Sequence, residues 1–171
     1  MQRISFAAAV AAVLTVAVPA SAQQGEELVR TQFGDWTKLC TQDNAMCVIE
    51  QIGRTAAGED ALSFQIEKLP QPQDVNGQRV EAVANIRVPL GVVLTQGLRL
   101  QIDQGEVTAS PFFMCQQVGC LVRAPLQPQL VDQLKRGARA TMGYTVLQNG
   151  EPAEISVNIS LTGFTRAIDS L

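Results

Sequence analysis

The feature that most constrains this chain is Ser110-Pro111-Phe112-Phe113-Met114-Cys115-Gln116-Gln117-Val118-Gly119-Cys120-Leu121-Val122-Arg123. An apolar run and a cysteine are followed by a short polar loop with one glycine, then a second cysteine and a second apolar run. That order describes two strands joined by a tight turn, with a sulfur on each side of it. Successive strand residues point to opposite faces, so Phe113 lies on the other face from Phe112 and Met114. Both faces must be covered there, or one is an exposed apolar patch that binds something. The helix expected over Leu126–Arg136 is the simpler cover.

The cysteines take their meaning from the start of the chain. Arg3 is a short positive region, Ile4–Val18 is apolar with Ser5 and Thr15 the only polar residues, and Pro19-Ala20-Ser21-Ala22 offers small residues before Gln23. Residues 1–22 read as a secretory signal that is cleaved; the apolar run is too short to span a bilayer. Residues 23–171 read as one domain in the periplasm or secreted beyond it. In an oxidising compartment Cys40, Cys47, Cys115 and Cys120 are read as disulfides. Of the three possible pairings, the local one, Cys40 with Cys47 and Cys115 with Cys120, is favoured. A zinc site made of all four has poor ligand spacing.

Period-two alternation marks several strands, clearest at Leu62–Glu67, Val80–Val88, Leu98–Asp103 and Ile155–Leu161. Gln148-Asn149-Gly150 signals a hairpin. A short helix fits after Pro128, with Leu130, Val131 and Leu134 on one face, Lys135 and Arg136 in the last turn, and Gly137 suited to a left-handed cap. Thr165–Leu171 fits a last turn of helix, and Pro70–Gly77 reads as a loop. About nine short strands with regular turns predict an all-β sandwich or barrel with one short helix.

The composition excludes several functions. There is no histidine, which removes Ser-His-Asp and Cys-His catalysis and every histidine metal site. Net charge is −3, and loss of Arg3 with the leader makes it −4; no basic run exceeds Lys135-Arg136, so nucleic acid is not an expected partner. A carboxylate dyad acting on envelope polymers is the enzymatic alternative, with Asp35, Glu50, Glu67 and Asp103 as its acids. Strand faces and turns are the plainer place for all four. Trp36, the lone tryptophan, and Phe113 are the weak binding candidates. Trp36 could stack on a sugar, although a core position is the commoner use of such a residue in a sandwich. No cofactor and no metal are implied.

Four stretches, in order, resemble one family. They are Phe33-Gly34-Asp35-Trp36 with Cys40 and Cys47; Pro89–Leu98; Pro111-Phe112 with Cys115 and Gly119-Cys120; and Leu161-Thr162-Gly163-Phe164-Thr165 with Ala167. Together they resemble the invasion-associated locus B (IalB) proteins of alphaproteobacteria. The resemblance implies an immunoglobulin-like sandwich in the envelope or secreted. It brings no catalytic residues. It implies a non-catalytic binding protein, whose partner would be an envelope protein, a host surface component or a glycan.

Overall fold

The computed structural model describes residues 27–171, so the expected signal sequence, residues 1–22, lies outside the described residues. Eleven strands form two sheets. They are β1 (Val29–Phe33), β2 (Trp36–Cys40), β3 (Cys47–Arg54), β4 (Asp60–Val75), β5 (Gln78–Val88), β6 (Leu98–Ile102), β7 (Thr108–Ser110), β8 (Met114–Gln116), β9 (Gly119–Leu126), β10 (Arg139–Gln148) and β11 (Glu151–Ser160). The helices are α1 (Pro128–Arg136) and α2 (Phe164–Asp169). The larger sheet runs β1-β2-β3-β4-β5-β9-β8 and the smaller β11-β10-β6-β7. All neighbours pair antiparallel. This is the expected all-β sandwich, with sheets more unequal than the four and three strands of an immunoglobulin constant domain.

Two strands more than expected are present, chiefly because Gln32–Cys40, whose loose alternation suits a single strand, is divided between β1 and β2. Gly34 takes φ +62° and turns the chain, so Phe33 pairs with Trp36 across a hairpin. The expected loop at Pro70–Gly77 is an extension of β4. Its pairing with β5 is interrupted between Lys68 and Gln73 and resumes up to the Asn76-Gly77 turn. Pro70 and Pro72 therefore sit where no ladder bond is asked of them. Gly137 is not left-handed: φ is −73°. Its small size serves packing, since a Cβ there would lie 2.7 Å from Ile102 and 2.9 Å from Leu161.

One core lies between the sheets. Ile49, Phe64, Ile66, Ile86 and Val122 come from the larger sheet, and Leu98, Met142, Val157 and Ile159 from the smaller. Trp36 is fully buried. It meets Phe64 and Phe164 edge-on, with centroids 5.3 Å and 5.1 Å away. Such pairs add about 0.5–1.5 kcal/mol each beyond burial.

Polar ties cross from sheet to sheet. The Trp36 indole N–H donates to the Ser160 carbonyl at 3.0 Å. The Gln51 amide donates to the same carbonyl at 3.1 Å and accepts the Ser160 N–H at 2.8 Å. The Tyr144 hydroxyl donates to the Ala61 carbonyl at 2.8 Å. The two glycine turns dock backbone on backbone. A Cβ on Gly34 would stand 2.6 Å from the Thr162 oxygen, and one on Gly163 would stand 1.9 Å from the Phe33 oxygen. The Asp35 N–H donates to the Thr162 carbonyl at 3.0 Å.

Two expectations follow. Gly163 and Gly150 have nearly the same φ, +88° and +85°, but a Cβ on Gly150 meets nothing within 4 Å. Gly150→Ala should therefore cost about 1 kcal/mol, the backbone penalty alone, and Gly163→Ala at least about 3 kcal/mol by urea unfolding. Equal costs would refute the docking. Burial raises the Tyr144 phenol above its ordinary value of 10.0, so the folded state holds that proton more tightly than the unfolded chain. That stability is whole below about pH 10 and falls as pH rises through the folded value. Tyr144→Phe should flatten the alkaline fall and cost about 1–2 kcal/mol at neutral pH, because the Ala61 carbonyl loses its donor.

Candidate functional site

No Asp, Glu, Lys or Arg occurs in Val88–Leu98, Val107–Val122 or Ala140–Gly150, in a chain that is 17% charged. The fold brings these three segments together. Pro89 ends β5 and Gly91 turns the chain toward β10. There Val92 bridges Val146, the Val93 N–H donates to the Thr145 carbonyl at 2.8 Å, and the Leu147 N–H donates to the Gly91 carbonyl at 3.2 Å. The buried Thr145 hydroxyl donates to the Gln96 side-chain oxygen. A 3₁₀ turn over Leu94–Gln96 leads to Gly97, where a Cβ would stand 2.6 Å from the Ser110 oxygen. Only glycine allows that approach between the first segment and the second.

Pro111 carries the chain from β7, the edge of the smaller sheet, to β8, the edge of the larger one. Cys115 and Cys120 face each other across β8 and β9, with sulfurs 2.02 Å apart. Cys120 is buried and Cys115 is exposed. Gly119 presses on the end of β5, where a Cβ would be 2.4 Å from the Val88 oxygen. The hairpin is thus held by a covalent bond, a ladder and a backbone contact. Cys40 and Cys47 are likewise opposite one another on β2 and β3, with sulfurs 2.06 Å apart.

This rigid margin is apolar at its surface. Among the described residues ten large hydrophobic side chains are exposed, and seven lie in these segments: Val107 where the chain enters β7, and Leu90, Leu94, Phe113, Met114, Val118 and Leu147 at this margin. Phe113 is 64% and Val118 69% exposed. Phe112 turns inward against the core. The expectation that the Leu126–Arg136 helix covers this stretch is overturned. α1 buries Leu134 and packs beside α2 and β5 instead, because its apolar face of Leu130, Val131 and Leu134 is taken up by the core there.

The remaining sequence candidates have structural work. Trp36 is fully buried and cannot stack on a sugar; it holds the core position weighed beside that role. Glu67 pairs with Arg123 at 2.7 Å, and Glu50 accepts from the Gln65 amide. These two acids are diagonal neighbours on β3 and β4, since Glu50 stands opposite Gln65. They lie on an open strand face and line neither of the two described clefts. The Asp103 carboxylate accepts the N–H groups of Ala138 and Arg139 at 3.1 Å and 2.9 Å. Asp35 occupies the β1–β2 turn. The clefts, about 300 Å³ beside Ile102 and Arg136 and about 490 Å³ between α1, α2 and β4–β5, are lined by none of the six exposed residues. Cations and anions are balanced in the larger one: Lys135 pairs with Asp169 and Arg79 with Glu81. Among the described residues no three acidic or cysteine side chains cluster to hold a metal ion.

Sequence reasoning found Phe113 but missed Leu90, Leu94 and Leu147. The signal that could have found them is the shared absence of charge, which is visible only when the three segments are compared.

A family model described as invasion associated locus B (IalB) protein matches residues 36–171. An invasion protein B homolog of Brucella abortus (strain 2308) is 30% identical over 158 residues, covering 91% of this chain and 86% of the relative. Invasion protein B of Bartonella bacilliformis is 25% identical over 155 residues, covering 89% and 79%. The crystal structure of invasion associated protein B from Bartonella henselae superposes with a TM-score of 0.62 at 21% identity, covering 83% of this chain and 94% of that one. That likeness concerns the fold.

Because the margin is exposed, the folded protein should enhance the fluorescence of an environment-sensitive hydrophobic dye. A Leu94→Ser, Phe113→Ser, Val118→Ser variant should lose most of that signal while its unfolding free energy changes by no more than about 0.5 kcal/mol per site. A large loss of stability would show that these side chains are packed.

Proposed function

This chain belongs to the invasion-associated locus B family, and from that premise we propose that it is an exported, non-catalytic binding module. Export is supported by the leader-like residues 1–22 and by two cysteine pairs at bonding distance, which persist outside the cytoplasm. Among the described residues no helix is long and apolar enough to cross a membrane.

The observation that carries the binding reading is the charge-free margin. Six large apolar side chains stay in water on a surface held rigid by a disulfide and two backbone contacts. Exposed apolar surface carries an aggregation risk, and its retention at one rigid place supports a contact role. The hydrolase reading has no such support, since its acids are engaged in hydrogen bonds or lie in a turn. The mature protein acts through its exterior, on another component of the envelope or of a host surface.

A photoreactive residue at Phe113 in living cells should capture a partner. The same residue at Glu59, in the exposed β3–β4 turn, should capture nothing above background. Equal capture at both positions, or none at either, would count against this reading.

A further inference from the structure

We propose that the charge-free margin seats on a lipid bilayer, with its apolar tips entering the boundary between headgroups and acyl chains. The inference rests on the margin being the working surface and adds the chemistry of what it meets.

Backbone pairing favours lipid over water. A segment entering an apolar phase must satisfy its own N–H and C=O groups. Here the Val93, Gln96, Gly97 and Leu147 N–H groups all donate to carbonyls within the margin. Beyond them, the β8–β9 hairpin closes on a two-residue turn, with Gln116 opposite Gly119. No charge has to be desolvated anywhere along the three segments.

Shape points the same way. A protein partner that relies on anchor residues offers or receives them in sockets. Leu94 stands on the 3₁₀ turn, and Phe113, Met114 and Val118 stand on or beside the β8–β9 hairpin, while both described clefts lie elsewhere. A fluid phase needs no socket.

Charge places the boundary. Arg87 adjoins the hairpin: its Cγ would be 3.2 Å from a Cβ on Gly119. It is exposed and stands outside the ion pairs among the described residues. A guanidinium at the edge of an apolar patch suits a headgroup phosphate. The net charge, −3 for the whole chain and −4 once Arg3 is lost with the leader, disfavours a strongly anionic surface, so the proposal is for zwitterionic lipid.

The test is flotation of the mature, oxidised protein with vesicles of phosphatidylcholine and phosphatidylethanolamine. We expect co-flotation that changes little up to about 0.5 M salt, because apolar contact is not screened. Phe113→Ser with Val118→Ser should lower the vesicle-bound fraction at least about tenfold with an unchanged thermal transition. Arg87→Gln should lower it only severalfold. Failure to float overturns the proposal, and so does flotation that the double serine variant leaves intact. Binding that needs anionic lipid and vanishes with salt also overturns it. So does a dimer in sedimentation that the double variant dissolves while vesicles stay unbound, since the margin then joins two copies. If Phe113 captures a protein in cells while vesicles remain unbound, the bilayer inference falls and the binding-module reading stands; if neither occurs, both fall.

Discussion

The structure depends on a contact between two stretches of bare backbone. Gly34 turns the β1–β2 hairpin at one edge of the larger sheet, and Gly163 turns the chain as it leaves β11 at the matching edge of the smaller one. Each turn presses against the other's carbonyl at a distance that no side chain allows. The docking decides the position of Trp36, whose ring then fills the gap between Phe64 and Phe164. Its indole N–H reaches Ser160 only because the turns meet. Gln51 closes the arrangement by bonding Ser160 in both directions. One lateral side of the sandwich is thereby sealed, and α2 lies over it, with Lys38 and Lys68 donating to the carbonyls of Ser170 and Leu171 just past its end. Cations at a helix C-terminus also favour the dipole.

The opposite side is built differently. Its two edge strands, β7 and β8, have three residues each. Short edges resist adding a further strand, which leaves side chains rather than backbone to make contact there. The Cys115–Cys120 bond and the buried Cys120 tie the outermost strand to β9. Without the bond, a three-residue edge would keep only its ladder. Asymmetry between a sealed side and a rigid apolar side is what gives the molecule a direction.

Much of this was legible in the chain itself. Alternation located β4, β5, β6 and β11, because one side of each faces a single core and the period of two survives. Asn149-Gly150 announced its hairpin, since both residues take positive φ there. Cysteine spacing identified the partners, as two strands around a short turn bring such pairs opposite. What stayed hidden depends on distant contacts. Gly34 suits a bulge or a close contact equally well in the sequence, and only Thr162 shows that it is the contact. Gly137 looks like a helix cap in sequence, but its small size answers to Ile102 and Leu161. The path of α1 after Leu126, and so the exposure of Phe113, follows from packing with α2 that no local pattern reveals.

The margin also explains why charge is absent where solubility would favour it. A single Lys or Glu among Leu90, Leu94 or Val118 would cost the fold almost nothing, because these side chains are exposed and surface changes of that kind lie within about 0.5 kcal/mol. Stability therefore does not require the apolar residues. Packing does not require them either, since the core is complete beneath them at Val88, Val122 and Tyr144. The contrast with the open face of the larger sheet is direct: there Arg123 donates to Glu67 and Asn85, and Gln65 donates to Glu50, on strands of the same sheet. One surface of the sheet is written in charge and its margin is written without it. The contact proposed for the margin gives a physical reason for that difference.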